Sequence, residues 1–185
     1  DKLRQAILQA AIQGKLTEQL KSDGNARDLL AKIQTEKAKL IKEGKIKKEK
    51  ALPEITKEEE PFDIPDNWCW VRLGTVFQVN PRNVASDDTD ASFMPMTLLA
   101  EGYQSRYTFE QRLWKKIKSG YTHFANNDIV FAKITPCFQN LKSAVMTGLL
   151  NQIGAGTTEL HVLRGYGNLI NRYYTLWFLK NPMFI

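Results

Sequence analysis

The hydrophobic pattern of this chain changes its period near residue 60, and this change constrains the fold more than any other feature. Up to about residue 50 the apolar residues recur every three or four positions, as on one face of a helix. From Pro61 the apolar runs are short, rich in β-branched and aromatic residues, and separated by turn signals. The sequence therefore predicts a helical region followed by a globular part that mixes strands and helices.

Two helices are predicted in the first region. The apolar face of the first is formed by Leu3, Ala6, Ile7, Ala10 and Ala11. Gly14 is a plausible stop for this helix, Asn25 is a plausible cap for the second, and Gly44 ends the second.

Two amphipathic helices bury their apolar stripes poorly by themselves, so they need a partner: the rest of the chain, a second copy or another protein. The narrow, alanine-rich stripe of the first helix favours close helix-to-helix assembly. Leu3, Ile7 and Ala10 are the predicted assembly surface, and an ordinary intramolecular helix pair is the alternative.

The helical spacing is lost over residues 45–60, where charges are mixed and Pro53 interrupts the pattern. We predict a helical region at residues 1–50, a linker at 51–60 and a globular domain at 61–185. In that domain WCWVRL, IVFAKI and TTELHVLR are predicted strands, NPRN, ANND and GAG are predicted turns, and NLINRYYTLWFLKN is a predicted helix. The apolar ending MFI suggests a part of a longer subunit, truncated within this domain.

The net charge of +6 and the isoelectric point near 9.3 favour an acidic partner, of which nucleic acid is the commonest. Residues 1–60 and residues 61–185 each carry half of this net charge. No apolar run reaches the length of a membrane span, so we expect a cytoplasmic protein without a membrane partner. The two cysteines, Cys69 and Cys137, are expected to be separate thiols.

The densest basic cluster of the globular part lies in SRYTFEQRLWKKIKSGYTHF, residues 105–124, where aromatic residues are interleaved with the basic ones. Its candidate DNA-binding residues are Arg106, Arg112, Lys115, Lys116 and Lys118. Secondary candidates are Arg82 and Asn83 on the NPRN turn, and Lys133 and Lys142 around the IVFAKI strand. In the functional interpretation the lysines neutralise phosphates and an arginine reaches a base edge. In the alternative the aromatics are core residues and the lysines are simply solvated.

The segment DIVFAKITPCFQN raises the question of catalysis, because Thr135 to Phe138 faintly resemble the catalytic tetrapeptide of DNA adenine methyltransferases. That tetrapeptide needs a polar acceptor followed by two prolines, and Thr135 and Cys137 depart from it. The chain has no glycine-rich nucleotide loop, only two histidines, and no cysteine or histidine pair at metal-ligand spacing. We therefore expect neither a catalytic nor a metal site.

Several segments, in this order, resemble the specificity subunits of type I restriction-modification systems. They are LRQAILQAAIQGKL, LLAKIQTEKAKLIKEGKIKK, FDIPDNWCWVRLG, GYTHFANNDIVFAKITPCFQN and GTTELHVLR. The resemblance implies half of such a subunit: long helices and then one target recognition domain of α/β (α+β) class, with a curved, irregular sheet surrounded by helices.

The same resemblance implies a non-catalytic role. A subunit of this family selects the DNA sequence for methyltransferase and restriction subunits, which carry the S-adenosylmethionine, ATP and Mg²⁺ sites. The expected partners are double-stranded DNA, the methyltransferase subunits, the restriction subunit through the complex, and in a half-subunit a second copy. The alternatives are a stand-alone DNA methyltransferase or nuclease domain, and a helical scaffold that does not bind DNA.

Overall fold

The structure is a computed structural model and describes residues 2–184. Its helices are α1 (Lys2–Ile12), α2 (Ala26–Lys42), α3 (Leu73–Val76), α4 (Trp114–Ile117) and α5 (Arg172–Leu179). Its strands are β1 (Phe77–Val79), β2 (Asp90–Met94), β3 (Glu110–Leu113), β4 (Thr122–Ala125), β5 (Ile129–Ala132), β6 (Ser143–Val145), β7 (Ile153–Gly156) and β8 (Leu160–Gly165). The described residues divide into two compact units: 2–77 with 165–171, and 78–164 with 172–184.

The first unit contains both predicted long helices. The Asn25 side chain accepts a hydrogen bond from the Arg27 N–H at 2.8 Å, so the predicted cap of α2 is confirmed. Gly14 follows α1 with a φ of +68°, and a Cβ at this position would lie 2.5 Å from Pro65 Cγ. Only glycine fits this turn, because both the backbone conformation and the close approach exclude a side chain. The predicted stop at Gly44, with a φ of +69°, is confirmed as well.

The predicted strand WCWVRL is wrong. Residues 68–72 pair with no strand, and α3 begins at Leu73. Hydrogen bonds of side chains, and not backbone hydrogen bonds to a neighbouring strand, fix this stretch. Trp68 Nε1 donates to Gln19 Oε1 at 2.9 Å, and Arg72 donates to the carbonyl of Pro53 at 2.6 Å and to the Glu59 carboxylate at 2.9 Å. The alternating pattern thus belongs to a half-buried extended segment, which has no neighbouring strand.

The second unit contains two four-stranded sheets, with the strand orders β1-β8-β5-β6 and β3-β2-β7-β4. All pairs with a defined register are antiparallel except β2 with β7, which is parallel. The predicted α/β class is confirmed, although the strands form two sheets where the resemblance implied one. The predicted strands at IVFAKI and TTELHVLR correspond to β5 and β8, and the last predicted helix corresponds to α5.

The predicted turn at GAG is wrong, because these residues belong to β7, one of the two inner strands of its sheet. A Cβ on Gly154 would lie 2.4 Å from Phe124 Cε2 and 2.5 Å from the Ser92 carbonyl oxygen. A Cβ on Gly156 would lie 2.6 Å from the Met94 carbonyl oxygen. These glycines therefore mark a close approach of neighbouring strands, which a glycine-rich segment indicates as readily as a turn.

Two apolar clusters form the core of the second unit. One contains Met94, Leu99, Phe124, Val130, Ala144, Met146, Leu149, Leu160 and Val162. The other contains Ala91, Phe93, Trp114, Ile117 and Ala155, with Ala85, Tyr121 and Ile153 packed against it. We call this second group the Trp114 cluster, and it positions the basic residues described below.

Candidate nucleic-acid interface

The lysines of the predicted basic cluster lie on or directly after α4. Trp114 and Ile117 point inward and are 2% and 1% exposed, so they fix the orientation of this single turn. Lys115, Lys116 and Lys118 are consequently exposed. Trp114 is thus a core residue and the three lysines face solvent, and a role of these lysines in DNA binding stays a prediction.

Two of these lysines already have acidic partners. Lys115 Nζ lies 2.8 Å from Asp88 Oδ1, and Lys118 Nζ lies 2.6 Å from Asp87 Oδ1. Backbone hydrogen bonds hold the two segments together, since the Lys115 N–H donates to the Asp87 carbonyl at 3.0 Å. The Asp87–Asp88 loop has the composition of an ordinary surface turn, so sequence reasoning missed this pairing. Within residues 2–184 no carboxylate forms an ion pair with Lys116.

Arg112 extends from β3 and is held on both sides. Its Nη2 lies 2.6 Å from Glu110 Oε2, and its guanidinium carbon lies 4.6 Å from the centre of the Phe93 ring. This geometry is a cation–π contact combined with a half-exposed ion pair. The guanidinium is therefore held in a half-exposed position between Glu110 and Phe93.

The loop that begins with the NPRN turn is anchored through Asn83. The Asn83 N–H donates to His123 Nδ1 at 3.1 Å, its Nδ2 donates to the Phe124 carbonyl at 2.7 Å, and its Oδ1 accepts from Arg164 Nη2 at 2.9 Å. These bonds engage both the nitrogen and the oxygen of the Asn83 amide within the protein, and its role in reading DNA stays a prediction. Arg82 is exposed, and its Nη1 donates to the Tyr121 carbonyl at 3.1 Å.

A buried ion pair lies beneath this loop. The Asp128 side chain is 2% exposed, and Arg164 donates to both of its oxygens, at 2.9 and 2.7 Å. Burial raises the pKa of the Asp128 carboxyl, and the Arg164 guanidinium opposes that rise. The Ala125 N–H also donates to this carboxylate at 2.7 Å. The sequence offered no signal for this pair, because its members are 36 positions apart.

His123 connects the loop to the segment after α4. Its Nδ1 accepts from Asn83, and its Nε2 lies 3.0 Å from the Lys118 carbonyl oxygen. A neutral ring with its proton on Nε2 satisfies both contacts. Burial lowers the pKa of this imidazole, while the hydrogen bond to the Lys118 carbonyl opposes that shift.

The remaining candidates are spread over other parts of the second unit. Arg106 is exposed beside a groove of about 660 Å³ lined by Leu98, Ser105, Tyr107, Phe109 and Thr147, among others. Lys133 follows β5 and is exposed. Lys142 precedes β6, and its Nζ donates to the Met96 carbonyl at 3.1 Å, so this ammonium group is already engaged.

The structure therefore brings together only some of the predicted residues. Arg82, Lys115 and Lys118 contact residues around the Trp114 cluster, Lys116 lies on α4, and Arg112 lies on the strand β3 and stacks on Phe93 of the cluster. We call the exposed side of the Trp114 cluster, formed by these five residues and the Val84–Asp88 loop, the α4 face. Arg106, Lys133 and Lys142 are not linked to it by these contacts.

Lys180 is a buried basic residue, for which the helical spacing of the sequence predicts a place on a helix face and no further role. Its Nζ donates to the carbonyls of Gly102 and Leu141, both at 2.7 Å. Burial lowers its pKa to about 8. This lysine joins α5 to two loops and serves the packing of the second unit.

Helix α1, in the first unit, has two apolar sides. Leu8 and Ile12 are buried, whereas Leu3 is 76% and Ile7 is 46% exposed, and Ala10 is half-buried. The predicted assembly surface is thus exposed within the described residues. That exposure is compatible with a partner, whose presence stays a prediction.

The Thr135–Phe138 segment, with which the question of catalysis arose, forms the turn after β5. Cys137 is half-buried and is not in a disulfide. Its carbonyl accepts the Lys142 N–H at 3.1 Å, and Phe138 packs edge-on against Phe184. These contacts give the segment a structural role. Among residues 2–184, no three His, Cys, Asp or Glu side chains come close enough to share a metal ion, and no helix is both long and apolar enough to cross a bilayer.

Comparison with known proteins finds relatives by sequence. No family model matches the chain. Over all 185 residues the chain is 50% identical to the specificity subunit of the type I restriction enzyme EcoAI of Escherichia coli. It is 42% identical to the specificity subunit of the type I restriction enzyme EcoEI of the same organism. Over its whole length the chain is similar to type I restriction enzyme specificity subunits, and it spans 31% of the length of each of these two relatives.

Two solved structures also match. The first is the HsdS subunit from Thermoanaerobacter tengcongensis, with a TM-score of 0.45 and 23% identity over 58% of this chain and 28% of that chain. The second is a chain from a study of the assembly and conformational transition of a type I R-M system, with a TM-score of 0.47 and 16% identity over 85% of this chain and 37% of that chain. The likeness to specificity subunits rests on the sequence relatives.

Proposed function

We propose that this chain is a DNA-recognition segment of a type I restriction enzyme, and that its second unit binds duplex DNA. The observation that carries the proposal is identity of 50% and 42%, over the whole chain, to proteins named as specificity subunits. The excess of basic over acidic residues agrees with a nucleic-acid partner.

The α4 face supplies groups suited to this role. Lys116 is exposed without an ion-pair partner among residues 2–184, and Lys115 and Lys118 can exchange an exposed carboxylate for a phosphate. Lysines of this kind fix the position of a protein on DNA without reading sequence. Arg112 and Arg82 are the candidates for base contacts, because a guanidinium matches the O6 and N7 acceptors of guanine in the major groove.

The first unit provides the proposed assembly surface. Leu3, Ile7 and Ala10 would pack against methyltransferase subunits, against the rest of the specificity subunit, or against a second copy of the chain. A restriction subunit would join through the complex. S-adenosylmethionine, ATP and Mg²⁺ would bind to those partners, and this segment would act on DNA in the cytoplasm without catalysis of its own.

The test uses the assembled methyltransferase that contains this segment. Duplex binding is measured against salt concentration for Lys115→Ala/Lys116→Ala and for Arg112→Ala. The lysine variant should weaken cognate and random duplexes equally and reduce the salt slope by roughly one unit for each phosphate that no longer has a lysine partner. The arginine variant should lose about 1–3 kcal/mol on the cognate duplex alone.

Lys57→Ala, an exposed lysine of the first unit, is the matched control and should bind as the parent does. If both test variants keep the parent's affinities and salt slope, DNA does not contact the α4 face. Nothing observed in residues 2–184 favours a stand-alone methyltransferase, a nuclease or a scaffold over this proposal.

A further inference from the structure

Val84 is an exposed apolar residue on an ordered loop. It is 96% exposed, more than the other exposed large apolar side chains of residues 2–184. Its preceding neighbour Asn83 is fixed by three hydrogen bonds, and its following neighbour Ala85 packs against the Trp114 cluster. The loop therefore presents an isopropyl group to solvent from a backbone held on both sides.

The anchoring beneath Val84 includes a buried charge. Arg164, which donates to Asn83, is itself bonded to both oxygens of the buried Asp128 carboxylate. A buried ion pair contributes little net stability, because desolvation of the charges offsets their attraction. Such a pair has its clearest use in fixing one conformation, and the conformation fixed here is that of the loop beside Val84.

Val84 belongs to the same surface as the lysines of α4. Ala85, next to it, packs on the cluster whose other members include Trp114 and Ile117 of α4. Three and four residues after Val84, Asp87 and Asp88 pair with Lys118 and Lys115, respectively. A duplex held by these lysines would therefore lie against the loop that carries Val84.

The chemistry of the side chain decides what it can recognise. An isopropyl group gains nothing from a phosphate, and it gains free energy when it buries another apolar group. The apolar group that base pairs present in the major groove is the 5-methyl of thymine. We propose that Val84 is a specificity-determining residue that contacts a thymine methyl in the target site. This inference rests on the proposed function.

The experiment removes one methyl group at a time from the DNA. The cognate duplex is identified from the methylation pattern of the enzyme, and each thymine on both strands is replaced in turn by uracil. Binding by the assembled methyltransferase is compared between the parent and Val84→Ala. One uracil should weaken the parent about fourfold, the value of one buried methyl group, and that same uracil should leave Val84→Ala unaffected.

Val79→Ala is the control, because Val79 is also an exposed valine of the second unit, and it should retain the parent's sensitivity to that uracil. If the parent prefers the cognate duplex but no uracil position couples to Val84, the inference is overturned and the proposed function stands. A target that contains no thymine overturns the inference in the same way. If the parent shows no preference for the cognate duplex, the proposed function fails, and the inference fails with it.

Discussion

Removing two acidic side chains should strengthen DNA binding by this protein. Asp87 and Asp88 place a carboxylate 2.6 Å from Lys118 Nζ and 2.8 Å from Lys115 Nζ. If the α4 face binds DNA as proposed, phosphate oxygens would replace these carboxylates as partners of the two lysines. The change Asp87→Asn/Asp88→Asn removes both negative charges and keeps the shape of the loop, so it separates charge from structure.

The magnitude follows from the exposure of the pairs. All four side chains are between 43% and 81% exposed, and exposed ion pairs are worth about 0.2–1 kcal/mol each. The two ion pairs together therefore oppose DNA binding by about 0.4–2 kcal/mol in the parent. Without them, the affinity of the variant for a random duplex should rise roughly twofold to thirtyfold. The slope of log K against log salt should become steeper by up to about 0.9 for each lysine released.

The assay is fluorescence anisotropy with a random duplex over a series of salt concentrations, using the assembled methyltransferase. Glu101→Gln is the control, because the Glu101 carboxylate accepts a hydrogen bond from Asn140 and neutralises no lysine of α4. An affinity and salt slope equal to the parent's, when the parent binds measurably, would refute the idea that phosphates replace these carboxylates.

Three further predictions concern stability and assembly. Arg164→Ala leaves a buried carboxylate uncompensated and should lower the free energy of unfolding in urea by about 3–5 kcal/mol; a loss under about 1 kcal/mol would contradict this. The pKa of His123 is lowered from its usual 6.5 in the folded state, so its contribution to stability is complete above pH 6.5 and falls as the pH is lowered below that value. The free energy of unfolding of His123→Asn, measured in urea, should therefore decline less with falling pH than that of the parent. An equal decline in both proteins would exclude the effect. Ile7→Asp/Ala10→Asp puts charge on the exposed stripe of α1 and should abolish methyltransferase binding or self-association in sedimentation; unchanged sedimentation would rule out the assembly surface.

The sequence predicted the features that depend on neighbouring residues. The ends of the two long helices were predictable because they depend on local requirements. Gly14 and Gly44 adopt the positive φ that follows a helix, and the Asn25 side chain caps the start of α2. The strand β5 and the helix α5 were predicted for the same reason, since their apolar periods are complete within one segment. The α4 lysines are exposed as predicted.

The features that sequence reasoning missed depend on segments distant along the chain. Whether Gly154 lies in a turn or in a central strand depends on Phe124 and Ser92 approaching it, and nothing in GAG records that approach. The same holds for the Lys115–Asp88 pair, whose members are 27 positions apart. Residues 68–72 show the reverse error, because an alternating pattern does not specify whether a partner strand exists.

The central claim is that the second unit selects the DNA sequence, and a methylation profile tests it most directly. The DNA of a host that expresses the complete enzyme is sequenced for methylated bases in three cases. They are the native specificity subunit, no specificity subunit, and a subunit in which residues 78–184, the second unit together with residues 165–171, come from a relative of different specificity. We predict that the methylated motif disappears without the subunit, and that the exchange alters one part of the motif. An exchanged subunit that still supports methylation and leaves the motif unchanged would contradict the account.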